Sequence, residues 1–213
     1  MRKTLFSGIA ACLLATAATA AEQSPSVIWT VGQADRSASE FALAPDRFRD
    51  FLANDFGYED KYFLVGHSVP AADFPYVLPG PADTWGGTWP TSGWRTHQIN
   101  ILFGLKEIPS DGTCTLVVDL LDYAKNFLPL VKVSVNTQDA KFQLDAPGLS
   151  VADQRKPNQM EKIVDTLSIT GNLAKATPRR LEIPIRPGVL KAGGNEVTIT
   201  VLEGSWILFD LSL

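Results

Sequence analysis

Hydrophobic and polar residues alternate along several short stretches of this 213-residue chain. Ile99, Ile101, Phe103 and Leu105 are interleaved with Gln98, Asn100 and Gly104, and Val131, Val133 and Val135 with Lys132, Ser134 and Asn136. A period of two is that of a strand with one buried and one wet face. Val197, Ile199 and Val201 repeat it, and Trp206 to Leu213 predicts a last strand with Ile207, Phe209, Leu211 and Leu213 on one face. Leu181, Ile183 and Ile185 predict another, in which Pro184 lacks a backbone donor and so marks an edge or a bulge. Thr113 to Leu121 is apolar on both faces at its centre, which predicts an interior strand. Val27 to Val31, closed by Gly32, predicts a first strand; Tyr62 to Val65 and Ile163 to Ile169 predict two more. Helical spacing is scarce: one turn near Ser37 to Phe41, and a loose pattern of Phe48, Phe51, Leu52 and Phe56 that suits either a helix or an aromatic-rich loop. Residues 66–93 and 146–161 read as loops, and Ala192 to Asn195 as a turn. Short strands between Gly- and Pro-rich turns, each with two unlike faces, predict an all-β fold: an antiparallel β-sandwich of jelly-roll type.

The N-terminus departs from this pattern. Met1-Arg2-Lys3 is followed by an Ala- and Leu-rich run and by Ala18-Thr19-Ala20. A basic start, an apolar run and a small-residue site predict a secretory signal over residues 1–20, cleaved after Ala20. The run is too short and too Ala-rich for a lasting membrane span. Ile9-Ala10-Ala11-Cys12 offers a rival lipidation reading, against which the apolar run continues past the cysteine. Residues 21–26 form a linker, and 27–213 a single domain large enough to bury a core without staples. The expected location is secreted or periplasmic.

Removal of the signal leaves Cys114 as the only one of two cysteines, so neither an intramolecular disulfide nor a cysteine zinc cluster can form. In its apolar run, Cys114 reads as a small buried hydrophobe. Net charge is −4, and loss of Arg2 and Lys3 takes it to −6. That excludes a broad nucleic-acid-binding face. The densest cations, Lys175, Arg179, Arg180 and Arg186, read as a solvated strand edge.

Candidate chemistry concentrates in Tyr76 to Arg95, YVLPGPADTWGGTWPTSGWR. Trp85, Trp89 and Trp94 stand among Gly, Pro, Thr and Ser, with few aliphatic neighbours to bury them. Flat aromatic faces that stay partly exposed suit a sugar ring, which has C–H groups on its faces and hydroxyls at its rim. The same tryptophans would equally serve to plug one end of a sandwich. No Gly-rich phosphate loop, nucleophile elbow or His/Cys metal set is present, and the only histidines are His67 and His97.

Three blocks, in order, resemble a known module: WTVGQADRSASEF (29–41), YFLVGHSVPAADFPYVLPGPADTW (62–85) and LKAGGNEVTITVLEGSWILFD (190–210). The chain resembles the C-terminal, carbohydrate-binding-module-like domain III of polysaccharide lyase family 4, the rhamnogalacturonan lyases. The resemblance implies a jelly roll of the galactose-binding-domain type, and it runs through nearly the whole mature chain. One departure is Val133-Ser134-Val135-Asn136-Thr137, where the family commonly has glycine after the asparagine. The family's lyase chemistry belongs to a separate N-terminal domain, so the resemblance implies the binding module rather than the activity.

On this reading the chain is a non-catalytic module for plant cell-wall polysaccharide of the pectic, rhamnogalacturonan type. One or two of Trp85, Trp89 and Trp94 stack on sugar faces, while Arg95, His67 and Asp83 reach hydroxyls or a carboxylate. A monomer is expected, with a polysaccharide or oligosaccharide as ligand, no nucleic acid, no membrane span, and a partner protein or enzyme where the module is tethered. No cofactor is called for. Jelly rolls of this type often hold structural calcium, and Asp119, Asp122, Glu59 and Asp60 are hard oxygen donors, though at no diagnostic spacing. Two alternatives stay open: a rhamnogalacturonan lyase or an accessory fragment of one, and a protein-docking or self-association module.

Overall fold

The computed structural model describes residues 26–44, 60–83, 98–109, 113–145, 172–174 and 176–210. Among these residues, nine strands and one short helix follow in order: β1 (Lys61–Leu64), α1 (Pro70–Asp73), β2 (Val77–Leu78), β3 (Gln98–Leu105), β4 (Thr115–Tyr123), β5 (Leu130–Val135), β6 (Gln138–Gln143), β7 (Arg179–Pro184), β8 (Gly193–Glu203) and β9 (Ile207–Phe209). They make a five-stranded sheet, β1-β3-β8-β5-β6, and a four-stranded sheet, β2-β9-β4-β7. Side chains from both sheets enter one hydrophobic cluster, Ile101, Val133 and Ile199 from the first and Val118, Leu120 and Phe209 from the second. The fold is the all-β sandwich that the alternation predicts.

Among the described strands pairing is antiparallel with one exception. β1 runs parallel to β3, Lys61 facing Ile99 and Leu64 facing Leu102. β1 is thus a parallel edge on an otherwise antiparallel sheet. β4 lies between β9 and β7, as its two apolar faces require. A register shift between Leu120 and Asp122 inserts Leu121 as an extra residue, and Leu120 and Leu121 are both buried. β7 is an edge, so Pro184 removes a donor that no strand needs.

Aromatic packing ties the layers together. Phe74 is fully buried, its ring 5.3 Å from Phe41, 5.7 Å from Phe63 and 5.4 Å from Phe209. Trp29 packs on Phe103 at 5.1 Å, and Trp206 is buried.

Several expectations shift. Val27–Val31 forms no strand: Val27 and Ile28 are exposed, Val31 enters the core, and Trp29 packs against it partly buried. Ser37–Phe41 closes a turn, with the Phe41 amide donating to the Ala38 carbonyl at 3.1 Å, and no helix. The stretch after Gly66 contains α1 and β2 rather than loop alone. β8 begins at Gly193, inside the expected turn. β6 had no counterpart in the sequence reading. Its hairpin with β5 turns at Asn136 and Thr137, where Asn136 takes φ +49°, a conformation asparagine tolerates better than most residues. The expectations for Phe48–Phe56, 146–161 and Ile163–Ile169 lie outside the described residues. Among the described residues no helix is long and apolar enough to cross a membrane.

Candidate functional site

Of the six site residues inferred from sequence, Trp85, Trp89, Trp94 and Arg95 lie outside the described residues. What the structure describes is the chain on either side. Asp83 stands on one side and Gln98, the first residue of β3, on the other. The Gln98 amide donates to the Asp60 carboxylate at 3.3 Å, which tethers that end to the start of β1.

The Asp83 end is held more elaborately. Its Oδ2 accepts from the Gly80 amide at 2.8 Å, and its Oδ1 accepts from the Ser205 hydroxyl. The Asp83 amide donates to the Gly80 carbonyl at 3.1 Å, and the Ala82 amide to the Gly204 carbonyl at 2.9 Å. The Ser205 amide in turn donates to Phe127 at 2.9 Å. Three segments distant in sequence therefore meet in one clip.

Gly80 is required there. A Cβ on it would come within 2.5 Å of the Gly204 carbonyl oxygen and 2.7 Å of that of Ser205, backbone atoms that cannot step aside. Burial pushes the Asp83 carboxyl up to about 6, against the lowering effect of the Ser205 and Gly80 hydrogen bonds. With both oxygens engaged and 8 % of its surface exposed, Asp83 acts in this structure as a buried brace. Gly80 and Ser205 were absent from the sequence reading. Ser205 lies 122 positions from Asp83, and no local pattern joins them.

His67 is exposed in a tight turn after β1. Its amide and that of Ser68 both donate to the Leu64 carbonyl, at 3.0 and 2.8 Å, and Ser68 Oγ accepts from the Leu64 amide at 3.0 Å. Gly66 supplies the φ of +83° that the turn needs. The structure does not bring His67 and Asp83 together through any hydrogen bond.

Of the acidic residues considered as calcium donors, Asp60, Asp119 and Asp122 are engaged otherwise, and Glu59 lies outside the described residues. Arg180 grips Asp119 with Nε at 2.8 Å and Nη2 at 2.7 Å. Asp122 accepts from Lys125 Nζ and from the Thr177 amide, and Asp60 from Gln98. Among the described residues no group of three or more His, Cys, Asp or Glu side chains comes together as a metal nest. Asp35 holds its own turn, accepting from the Ser37 amide at 2.9 Å. Asp210 accepts from the Arg36 amide at 3.1 Å, while its buried Oδ1 has no hydrogen-bond partner, and burial raises its pKa. Where it is described, the basic run is likewise paired: Arg179 with Asp145, Arg180 with Asp119, and Arg186 with the Gln138 side chain, while Lys175 lies outside the described residues. Cys114 is half-buried, in no disulfide, and packed against the core, its carbonyl accepting from the Ile185 amide at 2.8 Å.

The outward face of the five-stranded sheet was not singled out from sequence. Phe63, Ile101 and Phe103 point inward, so Tyr62, Leu64, Leu102 and Gly104 point outward, and Tyr62 is 61 % exposed. Glycines inside strands, Gly104 and Gly194, were the available signal, because such positions commonly mark a close approach of another group.

Comparison with known proteins supplies the family. Residues 27–211 match the family model described as CBM-like, polysaccharide lyase family 4, domain III. No curated protein sequence matches the chain. Among solved structures, the chain is similar to a family GH115 4-O-methyl-α-glucuronidase with specificity for decorated arabinogalactans. That likeness has 13 % identity and a TM-score of 0.31, and it covers 57 % of this chain and 14 % of the other, too slight to carry an argument. With the two-sheet sandwich in hand and the match running over 27–211, the chain belongs to the CBM-like domain III family of polysaccharide lyase family 4.

Proposed function

We propose that this protein is a secreted, non-catalytic module that binds plant cell-wall polysaccharide of the pectic, rhamnogalacturonan type. The observation that carries the reading is membership of a carbohydrate-binding-module-like family across residues 27–211. The tryptophan-rich composition of residues 85–94 supports it, since indole faces match the C–H faces of pyranose rings. In this reading Trp85, Trp89 and Trp94 supply the stacking platforms, and Arg95 and His67 supply polar contacts. Asp83 serves by bracing the chain two residues before Trp85 instead of touching sugar. Secretion rests on the signal-like residues 1–20.

The non-catalytic part of the reading rests on the resemblance, which implies that the family's lyase chemistry belongs to a separate domain. Elimination beside a uronate carboxylate needs a positioned base and a group that neutralises the carboxylate. Among the described residues, His67 stands exposed on a turn, Arg179 and Arg180 of β7 are paired with Asp145 and Asp119, and Arg186 with Gln138. A shallow site of this kind binds weakly unless repeated or tethered.

Binding isotherms against rhamnogalacturonan, galactan and xylan, with Trp89→Ala in parallel, test the proposal. Saturable binding to a pectic polymer, weakened at least fivefold by Trp89→Ala, is expected. Identical curves for the two proteins would remove the stacking mechanism, and flat curves on every polymer would remove the function.

A further inference from the structure

The outward face of the five-stranded sheet carries a shallow depression of about 470 Å³ near the end of β3, lined by Leu64, Leu102, Gly104, Lys191, Gly194 and Glu196. Its geometry follows from register. Leu64 faces Leu102 across the β1–β3 pair, Leu102 faces Glu196 across β3–β8, and Gly104 faces Gly194. Two glycines opposite one another leave a patch of bare backbone. A Cβ on Gly194 would meet nothing within 4 Å, and one on Gly104 only the Gly193 oxygen at 4.0 Å. The gap is therefore open space, not a packing requirement.

Two residues back along β1 is Tyr62, 61 % exposed, followed on the same face by Leu64 at 44 %. Large apolar side chains turned to water on an edge strand are a liability unless something covers them. Tyr62 sits beside a fixed polar neighbour. Asn100 is buried opposite it, donating to the Lys61 carbonyl at 3.3 Å and accepting from Gln98 at 3.0 Å and Thr198 at 3.2 Å. From Tyr62 through Leu64 and Leu102 to Gly104 is four strand steps, about 13 Å at 3.3 Å per residue. That is the length of a short run of linked pyranose rings.

We propose that this shelf is itself a glycan-binding site, built from residues other than those of the tryptophan-rich segment, and that it takes a neutral oligosaccharide lying along β1 and β3. One ring stacks on Tyr62, the next rests on Leu64 and Leu102, and a third lies flat on the Gly104–Gly194 backbone. Exposed Lys191 and Glu196 flank that last position as one donor and one acceptor for ring hydroxyls. A neutral chain fits better than a polyuronate, because Lys191 and Glu196 leave the notch without net positive charge and the protein carries a net charge of −4. The inference rests on the carbohydrate-binding reading and adds to it a location and a ligand charge.

Gly194→Val is the decisive variant. It fills the notch from a position with open space and no positive φ, and valine suits a strand, so the fold is kept. The experiment titrates wild type, Gly194→Val, Tyr62→Ala and Trp89→Ala with a neutral β-1,4-linked galactotetraose and with tetragalacturonate, following backbone amides by NMR. Expected are shifts at Tyr62, Leu64, Gly104 and Gly194 with the neutral sugar, a Kd raised at least tenfold by Gly194→Val and by Tyr62→Ala, and these shifts kept in Trp89→Ala. An unchanged melting temperature confirms that Gly194→Val acts by filling space. Unmoved shelf resonances while wild type binds polymer, or full binding by both shelf variants, overturns the shelf alone. Stronger binding of tetragalacturonate overturns its assignment to neutral sugar. Failure of wild type to bind either tetraose or any polymer overturns the shelf and the carbohydrate reading together.

Discussion

Replacing Asp83 by asparagine tests the brace beside the tryptophan-rich segment. The Asp83 carboxyl is buried and its pKa is pushed from 3.8 to about 6, chiefly by desolvation. A pKa raised by folding means that the native state binds the proton more tightly than the unfolded chain. The resulting stability is fully present below the unfolded value of 3.8 and is lost as pH rises through about 6. The full span is worth about 3 kcal/mol. Evaluated point by point, the native protein gains about 1.3 kcal/mol from this group between pH 7 and pH 5, and about 2 kcal/mol by pH 4. Asparagine keeps the shape of the protonated acid. Its carbonyl oxygen can accept from the Gly80 amide, and its NH₂ can donate to Ser205 Oγ. Urea denaturation of both proteins at pH 4, 5, 6 and 7 reads the effect. The stability of Asp83→Asn relative to wild type should rise by about 2 kcal/mol from pH 4 to pH 7. Profiles that stay parallel within about 0.3 kcal/mol over that range would show that the Asp83 carboxyl is not desolvated as the clip requires.

Other parts of the structure make separate predictions. Gly80→Ala drives a methyl group into the Gly204 and Ser205 carbonyl oxygens and should cost about 3 kcal/mol in chemical denaturation; a cost below about 0.5 kcal/mol would contradict the close approach. Phe74→Ala removes a fully buried ring that contacts Phe41, Phe63 and Phe209, and should cost about 3–5 kcal/mol by the same assay. Arg180→Ala breaks the two-pronged grip on Asp119, but the Arg180 side chain is 55 % exposed, so solvent screening limits the loss to about 1 kcal/mol, to be read as a small fall in melting temperature that shrinks in high salt.

Much of the fold is legible in the sequence because burial imposes a period of two. β3, β5 and β8 bury their alternate apolar residues, with Asn100 and Thr200 buried in addition on the other face, and their side-chain patterns show the alternation directly. β7 could be placed at an edge because Pro184 lacks a donor. β6 was hidden because Gln138-Asp139-Ala140-Lys141-Phe142-Gln143 has few apolar residues, and its pairing is imposed by the turn at Asn136 and by the adjacent β5. The opposite error occurred at Val27–Val31, which has the composition of a strand but finds no partner, so Val27 and Ile28 remain in water.

The candidate site was less legible because its contacts are long-range. Asp83 reads locally as a loop carboxylate free to meet a ligand, and only the return of Gly204 and Ser205 from the far end of the chain turns it into a brace. Tyr62-Phe63-Leu64 is apolar throughout, so nothing in that run says that Phe63 faces the core while Tyr62 and Leu64 face water; the parallel pairing with β3 decides it.

Carbohydrate recognition itself is tested most directly by affinity electrophoresis in native gels cast with and without rhamnogalacturonan. The protein should be retarded in the polysaccharide gel relative to a non-binding reference protein, with the retardation growing as polymer concentration rises. Migration identical to the reference at every concentration, and in matching gels of galactan and xylan, would contradict the assignment.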